Sequence, residues 1–396
     1  MKKMILSLGI ALFALCGCKE TSSVKESEGR IVVDITQPEK NLKMSDLFSD
    51  IKYVKLETTK ESLIKYIKKV LNFDGKLLVV DGAMNSLLLF DKDGRFIKKI
   101  AGQGKGPGEY AYLTNATVDK KGKRLFILDD FSSHLLTYDF EGNYLESIKL
   151  DFKALDLEYL GNDKLVFYCG YMRNDNYLKE DARPSLFVYD LKQSVVTPLQ
   201  YVSNKVASHE MASPSKAISS CGDGKVWYGF NLTNEFLVIN KGELEHSFIL
   251  DFGKEDTDKR LAFVKKLEDE DFDMKDVRNI PRPKHMSVFS TVKTADYLLV
   301  SMTNFQDGYD YLVVYSPESG KCFVDKKKWD EPLYKEMKSI VPTQFYSSEE
   351  NKFYGSVMPD KVLSIDDTDN EALKELKEGL QEDDNPIVIV VETKPL

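Results

Sequence analysis

Val79–Ile100 reads VVDGAMNSLLLFDKDGRFIKKI, and Ile127–Ile148 reads ILDDFSSHLLTYDFEGNYLESI. Overlaid without a gap, Asp81 falls on Asp129, Phe90 on Tyr138, Asp91 on Asp139, Gly94 on Gly142 and Ile100 on Ile148. Short apolar runs separated by turn residues at a fixed offset mark a repeating strand–turn–strand unit. Such a unit buries its faces only by stacking on further copies. A polar residue after the third strand of each unit sets the register: Asp91, Asp139, Asp190, Asn240, Ser316 and Asp366. The spacings are 48, 51, 50, 76 and 50 residues, which predicts six units. The long spacing holds an insertion at about residues 254–282, where DKRLAFVKKLEDEDFDMKDV reads as a charged helix with Leu261, Phe263, Val264 and Leu267 as its apolar stripe.

The fold class expected is therefore all-β: a six-bladed β-propeller with a small helical insertion between blades four and five. Ring closure requires the two ends of the chain to meet. Ile387–Glu392 (IVIVVE), behind the turn Asp384-Asn385-Pro386, and the alternating stretch Asp50–Glu57 (DIKYVKLE) are expected to complete the last blade and leave no free edge. Asn370–Glu382 reads as a short helix inserted in that blade. With 42% apolar residues, 20 Tyr and 22 Phe in 396 residues, the chain has ample core material of a strand-favouring kind.

The opening residues differ in character. Lys2 and Lys3 precede an apolar run, Met4–Leu15, and then Cys16-Gly17-Cys18. The run is too short to cross a bilayer and has the layout of a secretory signal. Leu15-Cys16-Gly17-Cys18 resembles the lipobox of bacterial lipoproteins. That resemblance implies a signal peptide over 1–17, acylation of Cys18, and an outer-membrane lipoprotein facing the periplasm or the cell surface. Residues 18–30 are polar and read as a flexible tether, with the propeller over 31–396. Loss of Lys2 and Lys3 with the leader takes the net charge from −9 to −11. An acidic body argues against nucleic acid as a partner.

Loop lengths distinguish the two faces of the ring. First-to-second and third-to-fourth strand turns share one face and are short, as at Asp74-Gly75, Asp93-Gly94, Asn162-Asp163 and Lys241-Gly242. The other face receives the long connections, including Gly102–Leu113, Asp130–His134 and Gly170–Pro184. Functional groups concentrate on irregular loops held by a rigid scaffold, so this face is the expected site. Its candidate ligand-binding residues are Lys105, Glu109, Asp129, Asp130, His134 and Arg173. Asp129 and Asp130 are paired carboxylates at a strand end, suited to a cation or to acid–base work, and equally to turn capping. The stretch Gly102-Gln103-Gly104-Lys105-Gly106-Pro107-Gly108-Glu109-Tyr110 is glycine-rich but lacks the spacing of a phosphate loop or a dinucleotide fingerprint. It reads as a tight crossing between blades.

His134, His209, His246 and His285 show no ligand spacing, and Cys169, Cys221 and Cys322 fit neither a disulfide framework nor a metal knuckle. No catalytic residue, metal or cofactor is expected.

The units Asp81…Asn85…Phe90-Asp91…Gly94, the glycine crossing and Leu125–Asp129 resemble NHL-type (TolB-like) propeller repeats. With the lipobox, Leu56-Glu57-Thr58-Thr59 and Asp384-Asn385-Pro386, the layout is similar to six-bladed propeller lipoproteins of gut-type Gram-negative bacteria. The resemblance covers Val32–Lys394 and implies fold and location only. Some NHL-type propellers are lyases or lactonases with a channel metal, but their ligand sets have no motif match here. The function expected is a monomeric, lipid-anchored binder of a ligand or envelope partner (a protein, glycan or peptide) through the long-loop face. The competing expectation is a channel-centred, metal-assisted hydrolase or lyase acting on glycans or peptides.

Overall fold

The computed structural model describes residues 29–34, 44–170, 172–208, 217–220, 222–230, 234–269, 287–304, 309–328, 339–342, 345–366 and 369–395. The first blade is the antiparallel meander Ile67–Phe73, Lys76–Asp81, Ser86–Phe90 and Phe96–Lys99. Its opening hairpin turns at Asp74 and Gly75, both with positive φ (55° and 76°), the twist that two-residue hairpins need. Successive side chains leave a strand on opposite faces. Accordingly Leu78, Val80, Leu87 and Leu89 pack towards the second blade, while Leu77, Val79, Leu88 and Phe90 pack towards the sixth. Burial on both faces explains why these strands read as unbroken apolar runs rather than alternating ones.

The same arrangement repeats over residues 115–149, 156–203, 218–251, 287–328 and 345–393. Six apolar clusters lie between consecutive blades, and the sixth joins Tyr346, Tyr354 and Val388 to Ile67, Val79 and Leu88. Innermost strands stand side by side round the ring, with Phe345–Glu349 against Ile67–Phe73. The chain is a six-bladed β-propeller.

The sixth blade is made from both ends of the sequence. Its order is Phe48–Lys55, Ile387–Thr393, Lys352–Val357, Phe345–Glu349, and the joining pair runs antiparallel from Phe48 opposite Thr393 to Lys55 opposite Ile387. The blade count from the sequence holds, but its last marker does not. Asp366 follows the helix Pro359–Leu363 rather than a third strand, which is Ile387–Thr393. Asp366 resembles a marker only because it stands fifty residues after Ser316, behind the apolar residues Val362, Leu363 and Ile365, which here belong to the helix and its end.

The fourth blade carries an unforeseen fifth strand. Gly29–Val32 lies parallel to Glu243–Asp251, with Gly29 opposite Phe248 and Val32 opposite Asp251. Fourth strands run from the short-turn face towards the loop face, so Gly29–Val32 lies along the last four residues of Glu243–Asp251, with Val32 at the loop-side end. In the insertion, Lys254–Leu267 is a helix that buries Phe263, Leu267 and an Arg260–Asp256 pair at 2.8 Å. Leu261, expected in the apolar stripe, is exposed.

Candidate functional site

The repeated aspartates at the ends of second strands are structural clamps. Asp81 accepts hydrogen bonds from the backbone N–H groups of Lys65 (2.8 Å), Tyr66 (3.2 Å), Ala83 (2.9 Å) and Met84 (3.1 Å). Asp129 accepts from Ala111 N (2.7 Å), Ser132 N (3.0 Å) and Ser132 Oγ (2.7 Å). Each buried carboxylate thus joins the incoming crossing to the next turn of its own blade. A carboxylate fully occupied by such donors is poorly placed to hold a cation as well.

The remaining predicted residues divide between bracing and exposure. Asp130 is half-buried and accepts from Ala154 N at 3.2 Å; burial raises its carboxyl above the ordinary range, and Lys153 opposes the rise. His134 Nδ1 lies 3.1 Å from Ser132 Oγ. The structure therefore brings Asp129, Ser132 and His134 together, but with the hydroxyl between carboxylate and imidazole. Nucleophile activation needs the imidazole in the middle. Glu109 Oε2 accepts from Gly106 N at 2.7 Å, inside its own loop. Arg173 pairs with Asp175 at 2.6 Å, both exposed, and Lys105 stands exposed at the tip of the glycine crossing.

The glycine crossing is self-braced. Gly102–Gln103 pairs in parallel with Glu109–Tyr110, and the Tyr110 hydroxyl donates to Asn85 O at 3.0 Å. A Cβ on Gly104 would meet Glu109 Oε2 at 1.9 Å, so a larger residue there would push the Glu109 carboxylate off Gly106 N.

The two short motifs near the ends of the sequence prove to be partners. Asn385, 3% exposed, accepts from Ile64 N (2.8 Å) and donates from Nδ2 to Glu57 O and Ser62 O (2.9 Å each). Its backbone N–H donates to Thr58 Oγ1 at 2.9 Å, and Glu57 Oε2 accepts from Phe96 N at 2.7 Å. Leu56-Glu57-Thr58-Thr59 and Asp384-Asn385-Pro386 are one latch across the last seam.

The channel wall of the first three blades holds a charged cluster. Lys69, 1% exposed, lies 2.7 Å from Glu158 and 3.8 Å from Asp156. Asn115 Nδ2 donates to Asp156 Oδ1 at 2.6 Å and Thr117 Oγ1 to Glu158 Oε2 at 3.0 Å. Burial works against the Lys69 ammonium, but Glu158 and Asp156 outweigh it and raise its pKa. Burial likewise holds Glu158 above the ordinary carboxyl range, against the pull of Lys69. This cluster came from sequence positions that carried a signal only in hindsight: the charged pair at alternate positions of Asp156-Leu157-Glu158 in an inner strand. Its groups satisfy one another, so it braces the wall.

Apolar side chains stand out instead on the loop face. Leu63 and Tyr66 on the crossing from sixth to first blade, Met84, Tyr112, Phe131 and Met358 are all exposed, Phe131 at 78%. Asp81 bonds the backbone of both Tyr66 and Met84; Asp129 bonds the residues just before Tyr112 and just after Phe131. The repeated carboxylate therefore fixes one apolar pair on each blade. Two cavities lie elsewhere, both at the last seam. One of about 250 Å³ opens on the short-turn face beside Lys52, Lys76, Lys92, Lys352 and Tyr354. The other, about 260 Å³, lies by Lys55, Glu57, Arg95 and Asn385.

Cys169 is a buried free thiol and Cys322 a half-buried one; burial pushes both up, Cys322 to about 12. Among the described residues no group of three His, Cys, Asp or Glu side chains is arranged to hold a metal, and no helix is long and apolar enough to cross a membrane. Cys18, Cys221, His209 and His285 lie outside the described residues.

Residues 30–392 match the family described as "Domain of unknown function (DUF4934)". The chain belongs to that family. No curated protein matches its sequence. Among solved structures it is similar to a Bacteroides fragilis protein inferred to be exported, at 18% identity and a TM-score of 0.68, over 92% of this chain and 99% of that one. A member of the DUF4221 family from Bacteroides vulgatus is similar at 10% identity and a TM-score of 0.50, over 89% and 99% of the two chains. At these identities the likeness establishes the propeller fold.

Proposed function

We propose that this propeller is an envelope protein, anchored through an acylated Cys18, that binds a partner through the loop face of its sixth, first and second blades. The observation that carries the reading is the set of exposed apolar residues Leu63, Tyr66, Met84, Tyr112, Phe131 and Met358 on connections of three consecutive blades. Grouped apolar exposure on one face is a mark of an interaction surface, and scattered single residues are not. Buried Asp81 and Asp129 hold the loops that carry four of these residues, so the surface is set before a partner arrives. A protein or peptide with apolar side chains fits this surface better than a highly polar glycan does.

The test is capture from envelope extracts with the native chain and with a Tyr112→Ser, Phe131→Ser double variant. Central aromatic contacts at an interface contribute about 1–3 kcal/mol each, so retention of the partner should fall by at least about tenfold. Undiminished capture after Tyr66 and Met84 are also changed to Ser would remove the loop face from the reading. The mass of the N-terminal peptide from purified membranes tests the acyl group on Cys18 independently.

A further inference from the structure

We propose that the outer edge of the second blade takes an extended segment of another protein as an added parallel strand. The fourth blade supplies the precedent, because Gly29–Val32 already lies in parallel along the outer edge of its last strand. The two edges share a sequence: Ser147-Ile148-Lys149-Leu150-Asp151-Phe152 recurs one hundred residues on as Ser247-Phe248-Ile249-Leu250-Asp251-Phe252. They also share a backbone path. Tyr144–Lys149 pairs with His134–Asp139 as Glu243–Asp251 pairs with Glu235–Asn240, with a bulge at the same place in each. Leu150 N donates to Ser133 O at 2.8 Å and Leu250 N to Asn234 O at 3.0 Å, which fixes the parity of both ladders. The backbone groups of Ser147, Lys149 and Asp151, like those of Ser247, Ile249 and Asp251, therefore point out of the blade. In the fourth blade these groups meet Gly29–Val32, and Val33 N donates to Asp251 O at 2.9 Å. In the second blade, among the described residues, no strand meets them. Ser147, Lys149 and Asp151 are exposed where Ser247, Ile249 and Asp251 are half-buried.

Other outer strands are covered or guarded. In the first blade the continuation of the outer strand, Gly102–Gln103, is paired in parallel by Glu109–Tyr110. Pro198 interrupts Val195–Ser203 in the third blade, and Cys322–Lys328 in the fifth ends in three lysines, both devices that discourage pairing. Tyr144–Lys149 has neither, and it exposes Tyr144 and Leu145. An open edge of this kind binds extended polypeptide through main-chain hydrogen bonds, with side chains setting the choice of partner. The register of the fourth blade gives that choice. Arg30 stands opposite Ile249 and Ile31 opposite Leu250, while Ile31 and Val33 pack on the cluster of Trp227, Phe248 and Leu250. In the second blade Lys149 replaces Ile249, so an acidic residue suits the position that Arg30 holds. Arg30 also reaches Asp251 at 3.3 Å, whereas the Asp151 carboxylate already accepts from the Tyr177 hydroxyl at 2.7 Å. A second copy of this chain is thus a poor donor, since its Arg30 would face Lys149. Asp151 O accepts from Asn176 Nδ2 at 3.4 Å, a long bond that an incoming N–H would replace as Val33 N does in the fourth blade. The occupant is an extended segment with a small residue, an acidic one and then alternating apolar ones. This contact is independent of the loop-face reading and lies on the rim of the disc.

The test uses the intact chain and two peptides, acetyl-Ser-Gly-Glu-Ile-Val-Val-Ser-amide and its twin with Arg in place of Glu. Hydrogen exchange is read at single residues by mass spectrometry, and affinity by the anisotropy of fluorescein-labelled peptide. Without peptide, the amides of Lys149 and Asp151 should exchange at least about tenfold faster than those of Ile249 and Asp251, which Gly29–Val32 covers. Equal protection would mean that the second edge is already filled, and would overturn the proposal. At about ten times its Kd the Glu peptide should slow Lys149 and Asp151 about tenfold and leave Ile249 and Asp251 as they were. The Arg twin should bind about fivefold more weakly, and Lys149→Glu should reverse that order. Lys149→Pro removes an outward N–H that the blade's own ladder does not use, so the chain should fold and bind either peptide at least about tenfold more weakly. Slowing at Ile249 and Asp251 instead, an unchanged order in Lys149→Glu, or no slowing at about 10 mM peptide would each overturn the proposal. The Tyr112→Ser, Phe131→Ser variant should bind the Glu peptide as the native chain does, so its loss of envelope capture bears on the loop face alone.

Discussion

The crossing from the first blade to the second is sealed by its own neighbours, whereas the crossing from the sixth blade to the first is sealed from the far side of the sequence. In the former, Glu109 bonds Gly106 three residues away and Tyr110 reaches back to Asn85. In the latter, Asn385 bonds Ile64 over 321 positions. Both leave buried polar groups satisfied. They differ in what must already be folded before the bonds exist, and therefore in how damage spreads. A broken local crossing loosens one loop; a broken latch frees the edge at which the ring closes.

The largest effect should come from the latch. Asn385→Ala removes three side-chain hydrogen bonds and leaves Ile64 N, Glu57 O and Ser62 O without that partner, at a cost of roughly 3 kcal/mol or more in urea denaturation. A loss below about 1 kcal/mol would mean that the seam closes without it. A matched pair of glycines sharpens the contrast. Gly94 (φ 88°) and Gly142 (φ 79°) are repeat equivalents, but a Cβ on Gly94 would lie 1.9 Å from the carbonyl oxygen of Lys55 at the seam. A Cβ on Gly142 would meet only the ends of Ile100 and Lys98 side chains. Gly94→Ala should therefore exceed Gly142→Ala by about 1–3 kcal/mol, and equal losses would erase the distinction.

Within the local crossing, Tyr110→Phe deletes one hydrogen bond from a fully buried ring and should cost about 1 kcal/mol, read as a shift in urea midpoint with an unchanged slope. The smallest effect concerns pH. Backbone donors at Arg95 and Asp93 lower the Asp91 carboxyl, and the Asn143 side chain and backbone lower that of Asp139. A carboxyl held lower in the folded chain than in the unfolded one adds stability above its unfolded pKa and loses it as pH falls through its folded pKa. Carbon-detected NMR should show both titrating below ordinary aspartate. Asp91→Asn should flatten the acid limb of stability, and an unchanged limb would show that these turns do not contribute.

The propeller was legible because its evidence is local and repeated. Asp81 and Asp129, Gly94 and Gly142, and the apolar runs between them recur within about fifty residues. The glycine crossing is legible for the same reason, its glycines and Tyr110 lying within one short loop that passes between blades. What escaped was assembled from distant pieces. The parallel strand Gly29–Val32 has no local mark of its partner, because edge pairing uses backbone groups that every residue carries. The latch residues were each conspicuous, yet nothing in either motif names the other. The lysine-lined cavity draws on four separate stretches, around Lys52, Lys76, Lys92 and Lys352, and so lies on the face that short turns made seem uninformative. Asp129 and Glu109 were visible as candidates. That their carboxylates are turned inward onto backbone donors depends on geometry that spacing does not encode.

The composite sixth blade has a consequence in time. Ser49 and the carbonyl of Glu392, which it bonds, stand 343 positions apart. During synthesis or passage through an export channel, the strand Phe48–Lys55 emerges early and waits with its hydrogen-bonding edge open until Ile387–Thr393 arrives. At synthesis rates of about 5–20 residues per second, that wait lasts on the order of tens of seconds. The closing step is thus a late, long-range event, and the interval before it is when the chain most needs a chaperone to cover the unpaired strand.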